Sequence, residues 1–208
     1  QAKQVVAVEF DELLAAKLPG QFPGKNLTVH HADILSFDLS QLPENYKVVA
    51  NVPYYITSKI IQMLSETRNP PERSVLLVQK EVAERLAAGT GQMSILSVAA
   101  QVFHEVSLGD VVPANMFTPP PKVDSQTVIL RRRKKPLIDR VDQPHFLTVV
   151  KAGFSERRKK LRSSLAGGLR KNKPEIDELL TKADISLEAR AQELTIAQWQ
   201  RLSECVAK

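Results

Sequence analysis

At 208 residues the chain is long enough for one good-sized core, or for a main domain with a small appendage. It has no apolar run near the roughly 20 residues of a membrane span and no signal-peptide pattern, and its single cysteine, Cys205, excludes an internal disulfide or a cysteine-rich metal site. The net charge of +6 is unevenly placed: residues 1–130 carry ten Lys/Arg against thirteen Asp/Glu, residues 131–173 fifteen against three, and residues 174–208 four against seven. A solubilising surface mixes its signs, so this segregated cationic stretch asks for a polyanion, and the expected compartment is a reducing cytoplasm.

In chain order, the apolar run Val5-Val6-Ala7-Val8 predicts a buried parallel strand and Asp11 to Leu18 the helix after it. Leu27 to His31 predicts a second strand, Tyr46 to Ala50 a third, Thr57 to Glu66 a helix and Ser74 to Val78 a fourth strand. Glu81 to Ala88 and Ser94 to Val102 read as helices. Val106 to Val112 and Gln126 to Arg132 read as two further strands, suited to an antiparallel edge, around a proline-rich loop. Alternating strands and helices indicate a parallel α/β sheet. Past Pro136 only helices are predicted: His145 to Gly153, Arg158 to Leu165, Pro174 to Lys182 and Thr195 to Ala207. The expected division is residues 1–135 and 136–208. Gly167-Gly168 is expected to end a helix, and Cys205 is expected in the last helix's core stripe with Ile196, Trp199, Leu202 and Val206.

Asn51-Val52-Pro53-Tyr54 carries the most chemistry. A strand that ends in an amide, then a proline-stiffened turn, then an aromatic ring equips a site for a flat ring bearing an amine. Asn51 offers a side-chain oxygen, Val52 a carbonyl, and Tyr54 a stacking face. A capped strand-to-helix turn is the plainer alternative. Glu9 closes the first strand, where an acid accepts from ribose hydroxyls in doubly wound folds, or is simply a solvated strand end. Asp33 follows the second strand and suits either a cofactor's adenine amine, with Ile34 packing on the ring, or a turn cap.

Phe117-Thr118-Pro119-Pro120-Pro121-Lys122-Val123-Asp124-Ser125 reads as a stiff extended loop able to hold Phe117 over a cleft. There it would sandwich a flipped base against Tyr54, or the loop would be purely structural. Extrusion costs a few kcal/mol, which two stacking faces at about 1–3 kcal/mol each offset. Phe154 to Leu165 reads as a basic amphipathic helix, with Arg157, Arg158, Lys159, Lys160 and Arg162 available to RNA phosphate, or forming a merely solvated face. Arg131 and Arg132 belong to a second cluster, and Lys122 to the loop.

With these residues assembled, the chain resembles the small-subunit ribosomal RNA adenine dimethyltransferases from end to end. The matching strings are Val5-Val6-Ala7-Val8-Glu9, Ala32-Asp33, Asn51 to Ile56, Gln79 to Leu86, Phe117 to Ser125, Phe154 to Leu165 and Arg190-Ala191-Gln192-Glu193-Leu194. The resemblance implies a Rossmann-like methyltransferase sheet with a small all-helical C-terminal domain, and S-adenosylmethionine as cofactor. It implies that Glu9 binds the cofactor ribose, Asp33 with Ile34 its adenine, and Asn51 the substrate amine beside the methyl group. Tyr54 and Phe117 would stack on the target, one of two adjacent adenosines near the 3′ end of small-subunit rRNA, dimethylated late in ribosome assembly. The expected partner is that rRNA or the pre-ribosomal small subunit, met by a monomer without a metal.

Two departures carry expectations of their own. The family's glycine-rich loop and its strand have no counterpart, which implies N-terminal truncation and poor cofactor binding. The strands at Val5–Val8 and Tyr46–Ala50 should then either pair directly or leave a gap. Val52 stands where the family more often has Leu or Ile, a harmless change if the backbone carbonyl does the work. Two rivals remain in view: a large-subunit rRNA methylase conferring antibiotic resistance, and a non-catalytic RNA-binding assembly factor.

Overall fold

The computed structural model describes residues 2–24, 26–139, 141–156 and 158–207. Strand β1 (Val5–Glu9) pairs in parallel with β2 (Leu27–His31), and α1 (Glu12–Gln21) makes the crossover. Asp11 starts that helix by accepting the Leu14 amide on its carboxylate. A second sheet begins with β3 (Lys47–Asn51), crosses through α2 (Thr57–Glu66) and continues in parallel with β4 (Arg73–Gln79). After α3 (Lys80–Ala87) and α4 (Ile95–Gln101) come β5 (His104–Val112) and β6 (Ser125–Arg132).

The second sheet runs β3-β4-β6-β5. The expected antiparallel pair is there, but β6 lies inside, antiparallel to both β4 and β5, and β5 forms the edge. Of the two outcomes foreseen for β1 and β3, the structure shows separation: no ladder joins them, and Val49 of β3 is 83% exposed.

One core lies under the second sheet, where Leu76, Val78, Val128 and Leu130 meet Ile60, Ile61 and Leu64 of α2 and Leu86 of α3. Ile60, Ile61 and Leu64 fall on one helical face, so burial of that stripe drives the docking of α2. The segment after β2 packs on the same core through Ile34, Leu35, Phe37 and the buried Leu39.

A second core joins α5 (Gln143–Gly153), α6 (Leu161–Leu169), α7 (Lys173–Lys182) and α8 (Ile196–Val206) around Trp199, Phe146, Leu161 and Leu165. It also takes in Met93, Val98, Val102 and Phe103 from the α4 region. The Gly91 and Met93 amides donate to the Gln192 carbonyl. Cys205 sits half-buried against this core.

Two expectations for this region fail. Residues 158–160 are not helical: Lys160 is extended and α6 starts at Leu161, whose amide donates to the Ala189 carbonyl at 2.9 Å. Phe154, Leu161 and Leu165 are all buried, so the apolar stripe is real as a buried set but not as one helix. Gly167-Gly168 does not end α6 either; both glycines lie inside it, and Arg170 supplies the left-handed cap. A Cβ on Gly168 would lie 2.6 Å from the Cβ of Ala152, so the glycine lets α6 approach α5 closely.

His104 opens β5 fully buried, its Nδ1 3.2 Å from the Ala100 carbonyl and its Nε2 without a partner among the described residues. Burial pushes its pKa down to about 4, and the charges of Arg133 and Arg132 add to the effect. The folded protein therefore holds His104 neutral while the unfolded chain takes a proton below about pH 6.5. Its contribution is fully present above pH 6.5 and is lost as pH falls toward 4, by about 3 kcal/mol in all. Urea unfolding at pH 7 and pH 4.5 should show this loss for the parent and a smaller one for His104→Gln; equal losses would contradict the assignment.

Candidate active site

Strand register gathers the chemistry at one end of the second sheet. Asn51 pairs with Leu77 near the end of β4, Gln79 at that end pairs with Ser125, and Ser125 pairs with Val112 at the end of β5. The Asn51 turn, the start of α3 and the proline-rich loop therefore share one sheet edge. Such carboxyl-end edges are where α/β folds bind ligands.

The Asn51 turn is held from below. Val52 is buried in the sheet core and its amide donates to the Leu77 carbonyl at 3.0 Å. The Pro53 carbonyl accepts from the Ile56 amide at 3.1 Å and the Thr57 hydroxyl at 3.4 Å. Among the described residues nothing bonds the Asn51 side chain, and nothing donates to the Val52 carbonyl. Two acceptors are thus fixed in position and left open. The substitution of Val for Leu or Ile changes only the buried side chain.

Tyr54 is half-buried, and its hydroxyl shares a 2.7 Å hydrogen bond with the buried hydroxyl of Ser125. That bond ties the Asn51 turn to the foot of the proline-rich loop. The loop is pinned there twice more: the Ala114 amide donates to the Asp124 carboxylate at 2.9 Å, and the Lys80 amide to the Asp124 carbonyl at 3.0 Å. Phe117, half-buried, follows a short turn in which its amide donates to Ala114, and the Thr118–Pro119 bond is cis. Ser125 was invisible as a site residue in the sequence, because its partner lies 71 positions away.

Glu9 and Asp33 lie at the ends of β1 and β2, where the Ala32 amide donates to the Glu9 carbonyl at 3.0 Å. Each carboxylate uses one oxygen locally, Glu9 on the Asp11 amide at 2.8 Å and Asp33 on the Leu35 amide at 2.9 Å. The turn-cap reading of Asp33 is thus real, yet it leaves the second oxygen open, as does Glu9. Neither acid enters an ion pair among the described residues, so both suit the hydroxyl and amine donors of an adenosine-bearing cofactor. Ile34 packs partly on the sheet core beside them.

The cations divide into engaged and free. Arg132 donates to the Pro70 carbonyl and to the Asn45 side chain, clamping the loops beside it. Arg162 pairs with Asp177 at 2.5 Å, Lys160 with Glu188, and Lys159 with Glu156 at 3.6 Å. Lys122, Arg131 and Arg158 are exposed and form no ion pair among the described residues. Arg157 lies outside the described residues. No helix among them is long and apolar enough to cross a membrane.

A parallel strand pair with acids at its ends and a mixed sheet with open acceptors at one end, continued by a helical bundle, have the architecture of a Rossmann-like methyltransferase. Comparison with known proteins agrees. A curated relative, the ribosomal RNA small subunit methyltransferase A of Dehalococcoides mccartyi (strain BAV1), is 40% identical over 206 residues, covering 97% of this chain and 71% of that protein. Among solved structures, the 23S rRNA methyltransferase ErmE superposes with a TM-score of 0.76 at 30% identity, over all of this chain and 84% of its own. A dimethyladenosine transferase from Plasmodium falciparum gives a TM-score of 0.80 at 25% identity, over 97% and 81%. The match to the ribosomal RNA adenine dimethylase family runs over residues 1–208, and the chain belongs to that family.

The Tyr54–Ser125 bond is testable by itself. Tyr54→Phe keeps the ring and removes the hydroxyl, so urea denaturation should show about 1 kcal/mol less stability; an unchanged midpoint would mean that the bond fixes nothing.

Proposed function

We propose that this chain dimethylates the exocyclic amines of two adjacent adenosines near the 3′ end of small-subunit rRNA during ribosome biogenesis. It acts as a cytoplasmic monomer on the rRNA or the pre-ribosomal small subunit, with S-adenosylmethionine as methyl donor. One observation carries the reading: the Asn51 oxygen and Val52 carbonyl stand open at a rigid turn, beside an anchored aromatic ring. The name and 40% identity of the small-subunit relative support this substrate over a large-subunit one, and family membership supports an enzyme over a non-catalytic factor.

An adenine amine is a poor nucleophile because its lone pair is delocalised into the ring. When both N–H groups donate, one to Asn51 and one to Val52, the nitrogen is drawn toward a tetrahedral form with its lone pair free. Positive charge grows on that nitrogen during attack, so both acceptors bind the transition state more strongly than the ground state. Tyr54 and Phe117 stack on the two faces of the extruded base and repay its unstacking. Glu9 would hold the cofactor ribose, and Asp33 with Ile34 its adenine. The cofactor supplies an already electrophilic methyl group, so the protein's task is to position the amine and exclude water. Proton loss from the alkylated nitrogen needs no dedicated base in this scheme.

Lys122, Arg131 and Arg158, which are exposed and form no ion pair among the described residues, are the first candidates for phosphate contact. The already paired Arg132, Lys159, Lys160 and Arg162 join them only by exchanging partners, and Arg157 completes the proposed set. The decisive experiment is Asn51→Ala. Methyl transfer to isolated small subunits should fall by at least a hundredfold while RNA affinity stays within about twofold; near-normal turnover would refute the proposed role.

A further inference from the structure

Beside the Tyr54–Ser125 anchor lies an open cleft of about 580 Å³, walled by the start of α3 and by the proline-rich loop. Gln79, Lys80, Glu81 and Glu84 line it from one side, Lys122 and Asp124 from the other. Gln79 is the ladder partner of Ser125, so the cleft shares a wall with the residue that holds the Tyr54 ring. Asp124 is occupied, its carboxylate by the Ala114 amide and its carbonyl by the Lys80 amide. The other four charges are not: among the described residues Lys80, Lys122, Glu81 and Glu84 form no ion pair, although they face one cleft. Two cations and two carboxylates in one cleft, uncommitted to each other, suit a ligand that brings both kinds of complement.

We infer that this cleft is a subsite for the nucleotide that neighbours the target adenosine on the same RNA strand, an inference that rests on the function proposed above. A bare phosphate would meet the lysines but be repelled by the carboxylates. A ribonucleotide meets both. Its phosphodiester lies between Lys80 and Lys122, and its 2′-hydroxyl donates to Glu81 or Glu84, which accept only. The carboxylates thereby turn a non-specific phosphate contact into a preference for RNA over DNA. Adjacency to the anchored ring also fixes the register of the strand, delivering one base to Tyr54 while its neighbour is held outside.

The test measures binding of a hairpin RNA whose loop carries two adjacent adenosines, without cofactor, over a salt series, alongside a DNA hairpin of the same sequence. Lys80→Ala/Lys122→Ala should weaken RNA binding at least tenfold and reduce the magnitude of the log–log salt slope by about 0.7, the loss of the one phosphate contact that both lysines share on a single strand. Glu81→Gln/Glu84→Gln should narrow the parent's preference for RNA over DNA. All four side chains are exposed, and circular dichroism melts check that the variants fold. A lysine variant that binds with the parent's affinity and slope overturns the subsite, as does a parent that binds RNA and DNA alike. With either result, continued methylation by the parent leaves the proposed function standing; a parent that binds no RNA sinks both readings.

Discussion

The antiparallel pairing of β6 against β4 is the constraint on which the rest of this molecule depends. Its register sets Gln79 opposite Ser125 and thereby puts the foot of the proline-rich loop beside the end of β4. Since β3 runs parallel to β4, the same register brings the Asn51 turn to that edge. A slip of one residue would turn Val128 and Leu130 out of the core and carry Ser125 away from Tyr54. Burial of those side chains at the sheet core therefore specifies the site as firmly as any residue within it.

What this frame holds in place is a pair of acceptors with nothing to accept among the described residues. Between β3 and β4 the facing backbone groups are taken up by the ladder, but the chain leaves that ladder just after Asn51, and Pro53 has no N–H of its own. An open carbonyl at a stiff turn is already oriented, so little reorganisation is needed when an amine arrives. The engaged and free cations follow a similar logic. Arg132 and Arg162 brace the two cores, whereas Lys122 stands on the loop that carries Phe117. The cations thus serve structure and, in the proposed reaction, recognition.

Much of this was legible in the sequence because local signals and global fold agree there. Thr57 to Glu66 is a helix over the expected residues, and the apolar runs became strands within a residue or two. Failures arose where long-range packing overrides local pattern. Phe154, Leu161 and Leu165 are spaced as on one helix, yet a turn with an extended Lys160 buries all three. Gly167-Gly168 looks like a stop, but Gly168 is inside α6 because Ala152 of α5 comes too close for a side chain. The small pair Ala152-Gly153 was the available signal. The partners of Arg132, 62 and 87 positions away, and of Tyr54 carry no local signature at all. Position in the sheet was equally hidden: β6 lies inside and β5 at the edge, an order that no sequence period encodes.

The central claim is that Tyr54 and Phe117 close on opposite faces of an extruded adenine. The direct measurement is a set of intermolecular NOEs between a bound hairpin RNA, isotope-labelled at its two adjacent adenosines, and the aromatic protons of both residues. The account predicts contacts from one adenine's H2 and H8 to both rings, each lost in the corresponding alanine variant. Contacts to only one ring, or an adenine still stacked on its RNA neighbours in the complex, would contradict it.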